Sequence, residues 1–80
     1  MIKLTENEKV ILRSMDKKYK WIARDEGGNL FVYREKPIKK KPLWVSMFFD
    51  WWGIHLFNHL FQFIKWEDEE PYLIEDLLKM

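Results

Sequence analysis

The spacing of apolar residues changes several times along the chain, and each change marks an element. At the start, Leu4, Val10, Ile11 and Met15 fall near one face of a helix, with Leu12 to its side. Thr5 followed three residues later by Glu8 is a capping box, so the helix begins there. Leu4 before the cap can staple the first turn, and the helix ends near Met15–Asp16, ahead of Lys17-Lys18. The period then drops to two. Residues 19–24 and 30–34 are rich in aromatic and β-branched residues and read as the strands of a hairpin. Trp21 and Ala23 share one face, as do Phe31 and Tyr33 on the partner strand. The turn is Asp25-Glu26-Gly27-Gly28-Asn29, whose glycines supply positive φ angles.

Residues 36–42 carry two prolines and four lysines and predict an exposed basic loop. Leu43–Phe49 is expected as a third strand, although Trp44-Val45 and Phe48-Phe49 break the alternation. From Ile54 the spacing becomes helical again. Leu56, Phe57, Leu60, Phe61, Phe63 and Ile64 lie on one side of the wheel, with Trp51, His55, Asn58, His59 and Gln62 on the other. Gly53 favours a shorter helix, His59–Lys65, capped by Asn58, over one that starts at Ile54. Pro71 suits the first position of a last helix, with Leu73, Ile74, Leu77 and Leu78 as its apolar face. Acids 67–70 complement the positive end of that helix. The pattern predicts an α+β fold in a single domain, residues 1–80. It has an N-terminal helix, an antiparallel hairpin extended to three strands, and two short C-terminal helices. Trp21, Phe31, Tyr33, Ile11, Phe61, Ile64, Trp66, Leu73 and Leu77 are the expected single core.

Composition adds the aromatic load. Nine of the 23 residues from Trp44 to Trp66 are aromatic, which supplies burial that a small domain otherwise lacks. There is no cysteine, so disulfides, thiolate metal sites and cysteine nucleophiles are excluded. Residues 1–8 show no apolar leader segment, and a cytoplasmic protein is expected. Net charge is +1, but residues 1–41 hold 12 basic and 6 acidic side chains, against 2 and 7 in residues 42–80. Mutual attraction within one domain accounts for that split more simply than a dedicated nucleic-acid binder.

Candidate chemistry is sparse. His55 and His59 have i, i+4 spacing near Asp50, but the glutamate of a zincin motif and a third ligand are missing, so no metal is expected. Acids 67–70 have no nucleophile–base pair or phosphate-binding glycine loop beside them, so no catalysis and no cofactor is expected. Lys39, Lys40 and Lys41 beside aromatics, with Arg24 and Arg34, offer a nucleic-acid alternative. Between Lys41 and Lys65 the only charge is Asp50, a stretch long enough to span a bilayer. Its apolar side chains contribute about −5 kcal/mol, but Asp50 costs about +3 and the polar residues cost more, so no transmembrane span is expected.

A protein partner is the remaining use for the aromatic surface. Trp44, Phe48, Phe49, Trp51 and Trp52, with Lys39, Lys40 and Lys41, form the expected contact set. For Trp51 and Trp52 two placements stay open: one indole buried with the other over the sheet edge, or both turned to a partner. A homodimer through the same segment is a further alternative.

Residues 18–25, the glycine turn, Leu30–Tyr33 and Lys36-Pro37 resemble the first half of small proteins encoded by phages and prophages of Gram-positive bacteria. Residues 60–71 and 74–78 resemble their ending, while Ile38–Phe57 lies outside the likeness. The resemblance implies a phage accessory protein acting inside a bacterial cell. It would bind and modulate a host protein, a defence nuclease such as a CRISPR effector being one class of target. It supplies no functional residues.

Overall fold

Thr5 starts the first helix as expected. The computed structural model describes residues 3–80, so Met1 and Ile2 of the leader expectation lie outside the described residues. Helix α1 runs Glu6–Ser14. Thr5 Oγ1 accepts from the Glu8 N–H (3.2 Å), and Glu8 Oε1 accepts from the Thr5 N–H (2.9 Å). The buried stripe differs from the expected one: Leu4, Glu8 and Leu12 face inward, while Val10 is exposed. Glu8 tolerates that position because its second oxygen accepts from the Phe61 N–H at 2.6 Å.

The hairpin forms as read. Strands β1 (Trp21–Arg24) and β2 (Leu30–Tyr33) pair antiparallel with Trp21 opposite Tyr33 and Ala23 opposite Phe31. Of the two turn glycines only Gly28 takes a positive φ. Residues 36–42 are not a loop. Strand β3 (Ile38–Lys40) pairs with β4 (Leu43–Val45) as a second, two-stranded sheet, with Pro37 buried before it. The third strand of the main sheet is therefore β5 (Trp51–Gly53), not Leu43–Phe49. A fourth, β6 (Tyr72–Leu73), lies on the other side, giving the order β5-β2-β1-β6. Helix α2 (Ile74–Lys79) follows directly. Pro71 thus precedes a strand rather than opening a helix, and the acids 67–70 do not cap one.

The amphipathic stretch after Ile54 forms no α-helix. A single 3-10 turn, His55–Phe57, is followed by turns through Lys65. Phe61, at φ 54°, sits in the left-handed region, which interrupts helical continuation. The cause is Arg24, on the sheet face that this segment covers. Its Nε donates to Ile64 O (2.7 Å), Nη1 to Gly28 O (2.8 Å) and Asn58 O (3.0 Å), and Nη2 to Leu60 O (2.9 Å) and Phe61 O (3.1 Å). Those carbonyls turn to the guanidinium instead of running along a helix axis. Asn58 adds stitches: its Oδ1 accepts from the Leu30 N–H (2.9 Å), and its Nδ2 donates to Asn29 Oδ1 (3.0 Å).

The core is double, because the main sheet is covered on both faces. Ile22, Leu30 and Val32 pack with Leu4, Leu12, Ile54, Phe61, Ile64, Ile74 and Leu77. On the opposite face Ala23 and Tyr33 pack with Trp44, joined by half-buried Trp21, Phe31 and Trp66. Strict alternation along β1 and β2 produces this division, so the expected single core separates into two, and Leu73, on the short outer strand β6, is only half-buried and belongs to neither.

Burial raises the Tyr33 phenol above its ordinary value of 10.0, and the charge of Asp25 adds to the effect. The folded state therefore holds that proton after the unfolded chain has lost it. The resulting stability is fully present below about pH 10 and falls as pH rises beyond it. Tyr33→Phe should lose roughly 1 kcal/mol less than the wild type between about pH 8 and pH 11, measured by urea denaturation. Equal losses in the two proteins would place the phenol in solvent.

Candidate functional site

Asp50 anchors the start of β5. Its carbonyl accepts from the Arg34 N–H (3.1 Å), and its carboxylate lies 3.3 Å from Lys18 Nζ and 3.6 Å from Arg34 Nη1. The hydrogen bond and charge of Asp50 raise the Lys18 ammonium above its ordinary value. The one acid of the aromatic segment is thus neutralised at the sheet rim. Ahead of it, Ser46 Oγ accepts from the Phe48 N–H (3.3 Å), which helps hold residues 46–49 as a bend off the end of β4.

This bend and β5 present an apolar strip to solvent. Met47 is 84% exposed, Phe49 93%, Trp52 65% and Trp51 45%; Phe48 and Leu56 are exposed as well. Alternation along β5 sends the two indoles to opposite faces. Trp51 stands beside Tyr33 in the register, and its ring meets Phe31 edge-on at 5.7 Å. Trp52 stands beside Val32. Neither indole is buried. Between β4 and β5 opens a cleft of about 170 Å³, with Leu43, Val45, Phe49 and Trp51 on its walls and Tyr33 and Trp44 among its lining.

Two residues of the expected contact set belong elsewhere. Trp44 is 5% exposed. Its indole N–H donates to Arg24 O (3.0 Å), and its ring meets Trp66 edge-on at 6.3 Å. It is a core residue because β4 lies over the main sheet and turns its central side chain inward. Lys39 is half-buried, its ammonium 4.3 Å from the Trp66 ring centroid and 5.2 Å from that of Trp44, and it donates to Trp66 O. Lys40 is exposed, and Lys41 reaches Glu26 at 3.8 Å. Phe48, Phe49, Trp51 and Trp52 are all exposed, with Phe49 and Trp51 lining the cleft and Trp52 on the other face of β5. Met47 and Leu56 join them, and the sequence reading missed both: Met47 adjoins the aromatic run, and Leu56 was assigned to a helix face that does not form.

Arg24 was also missed as an organising residue. All its guanidinium nitrogens donate to backbone carbonyls, and burial lowers its pKa against the opposing charge of Asp25. The histidines do not converge. His55 lies against Phe31, ring centroids 5.0 Å apart, and fills the space over Gly53, while His59 is exposed. Among the described residues no group of three His, Asp or Glu side chains is placed to hold a metal. Of the acidic run, Asp68 accepts from the Lys65 N–H (2.9 Å) and the Tyr72 hydroxyl (3.1 Å), and Glu70 meets Lys36 at 3.4 Å.

A larger groove of about 350 Å³ runs between the end of α1 and α2, floored by Leu12, Tyr19, Ile74 and Leu78. Among its rim charges, Lys79 and Glu75 pair with each other at 3.0 Å. Among the described residues no helix is long and apolar enough to cross a membrane. Comparison with protein-family models, curated proteins and solved structures finds no match to this chain.

Proposed function

We propose that this chain is a non-enzymatic binding protein that docks another protein through Met47–Trp52 and Leu56. The observation that carries the reading is the concentration of exposed large apolar side chains on one anchored edge, where Asp50 is already neutralised. Exposed apolar side chains concentrated in one segment mark interaction sites, and tryptophan is enriched at their energetic centres. The cleft between β4 and β5 offers a socket for one apolar side chain of the partner. The nucleic-acid alternative draws less support, because Arg24 and Lys39 are engaged inside the fold and Arg34 and Lys41 meet acids.

The resemblance to small phage and prophage proteins supplies the setting. The chain acts as an accessory protein inside a Gram-positive host and modulates a host protein, with a defence nuclease such as a CRISPR effector as one target class. The test is affinity capture from such a host, with Trp51→Ala plus Trp52→Ala as the comparison. The double variant should cost roughly 2–3 kcal/mol, since Trp52 is largely in water and Trp51 is about half covered. It should still lose the captured protein. Equal capture by a folded variant would remove the strip from the contact, and a collapse of stability would make the indoles core residues.

A further inference from the structure

Strand β5 is an outer strand of the main sheet, and only its inner side is paired. The Ile54 N–H donates to Leu30 O (2.9 Å) and the Arg34 N–H to Asp50 O (3.1 Å). Inward and outward residues alternate in an antiparallel ladder. Trp52 therefore shares the inward set with Asp50 and Ile54. The N–H and C=O groups of Trp51 and Gly53 point away from the sheet, and outside that ladder they make no backbone hydrogen bond among the described residues. Natural edge strands are commonly protected by charge, proline or a covering segment. Residues 51–53 carry no charge and no proline.

We propose that this edge pairs with the same edge of a second copy, antiparallel about a twofold axis through Trp52. The two four-stranded sheets then become one continuous sheet. The register is self-complementary. Trp51 of each copy faces Gly53 of the other, so the four outward groups of one strand meet the four of its mate as two doubly bonded pairs. Trp52 faces Trp52 in the position where opposing side chains come closest, which suits an aromatic pair. On the other face the Trp51 indole comes down beside a residue with no side chain, where the His55 ring supplies the wall.

Charge and area agree with this occupant. Asp50, the nearest charged group in the chain, is already met by Lys18 and Arg34, so no unpaired like charges approach across the axis. An aromatic side chain buries roughly 150–250 Å². On that scale the exposed parts of Phe49, Trp51, Trp52 and Leu56 give several hundred Å² per copy. That is the order of the ~800 Å² per partner in a standard interface. A symmetric closed pair also uses up the edge, which an open stack would leave free to propagate.

Sedimentation equilibrium on the purified chain tests this without any host partner. The wild type should weigh about twice its 10.0 kDa, with a concentration-dependent monomer fraction. Trp52→Glu and Trp52→Lys should each raise the dissociation constant by ~100-fold or more, because like charges then meet on the axis. Their far-UV circular dichroism should match the wild type, since Trp52 is largely exposed. An equimolar mixture of the two variants should dimerise again. A monomeric wild type at about 100 μM would overturn the inference, since specific interfaces of this size bind at micromolar or tighter. So would larger open assemblies, an undisturbed Trp52→Glu dimer, or folded variants that fail to rescue each other. A monomer that still captures a host protein would end this inference and leave the docking function standing. A dimer that captures nothing would do the reverse.

Discussion

Arg24→Met should remove a large share of the stability of this protein. An 80-residue domain has about 4–12 kcal/mol in total. The guanidinium of Arg24 makes five hydrogen bonds, to the carbonyls of Gly28, Asn58, Leu60, Phe61 and Ile64. A bond to a charged group contributes roughly 1.5–3 kcal/mol net, and removing the donor leaves partly buried carbonyls unsatisfied. These contributions do not add simply, so a loss of about 4 kcal/mol is the expectation. Arg24→Lys should recover little, because one ammonium at the end of a flexible stem cannot reproduce the planar fork that serves carbonyls on several sides. Urea denaturation checks both variants. A loss under about 1 kcal/mol for either would mean that water replaces the guanidinium and that residues 58–64 hold their path for another reason.

Trp44→Ala should be nearly as damaging, by about 3–5 kcal/mol, with a fall in thermal midpoint of roughly 15 °C or more. The indole is buried against Ala23 and Tyr33, donates to Arg24 O at 3.0 Å, and sits beneath the ammonium of Lys39. It is the buried side chain that the β3–β4 sheet packs against the main sheet. Trp44→Phe keeps much of the apolar volume and loses the hydrogen bond, so it should fall between the wild type and the alanine variant. Phe49→Ala is the control from the same aromatic segment. With Phe49 93% exposed, the change should lie within about 0.5 kcal/mol of zero. A Trp44→Ala protein as stable as the Phe49→Ala protein would return Trp44 to the contact surface.

The difference between those two aromatics shows how much of the site is legible in the sequence. Composition places a large apolar surface between Trp44 and Trp66 and cannot divide it between core and solvent. Phe48 and Phe49 were expected at a contact surface and are exposed, and Trp51 and Trp52, whose placement the sequence left open, are exposed as well. Trp44 and Lys39 were expected with them, but the second sheet folds over the first and takes both inward. The basic loop read over residues 36–42 failed for a related reason. Pro37 and Pro42 bracket a short strand whose pairing partner, β4, lies immediately beyond.

Local chemistry specifies what it reaches within a few residues. The Thr5–Glu8 box starts α1, and the turn at 25–29 closes the β1–β2 hairpin. Period-two alternation then sorts Ile22, Leu30 and Val32 from Ala23, Phe31 and Tyr33. Each of these follows from backbone groups and side chains that are neighbours in the chain. The path of residues 54–65 does not. Its apolar spacing is compatible with a helix, but its carbonyls are claimed by a guanidinium 34 to 40 positions earlier, and its Phe61 N–H by Glu8. A helix there would satisfy the same backbone groups internally and strip the half-buried Arg24 of four of its five acceptors and the buried Glu8 of the donor to its second oxygen. Hydrophobic periodicity records which residues want burial. Only the assembled structure decides which polar groups they must be buried with, and here that choice sets the backbone.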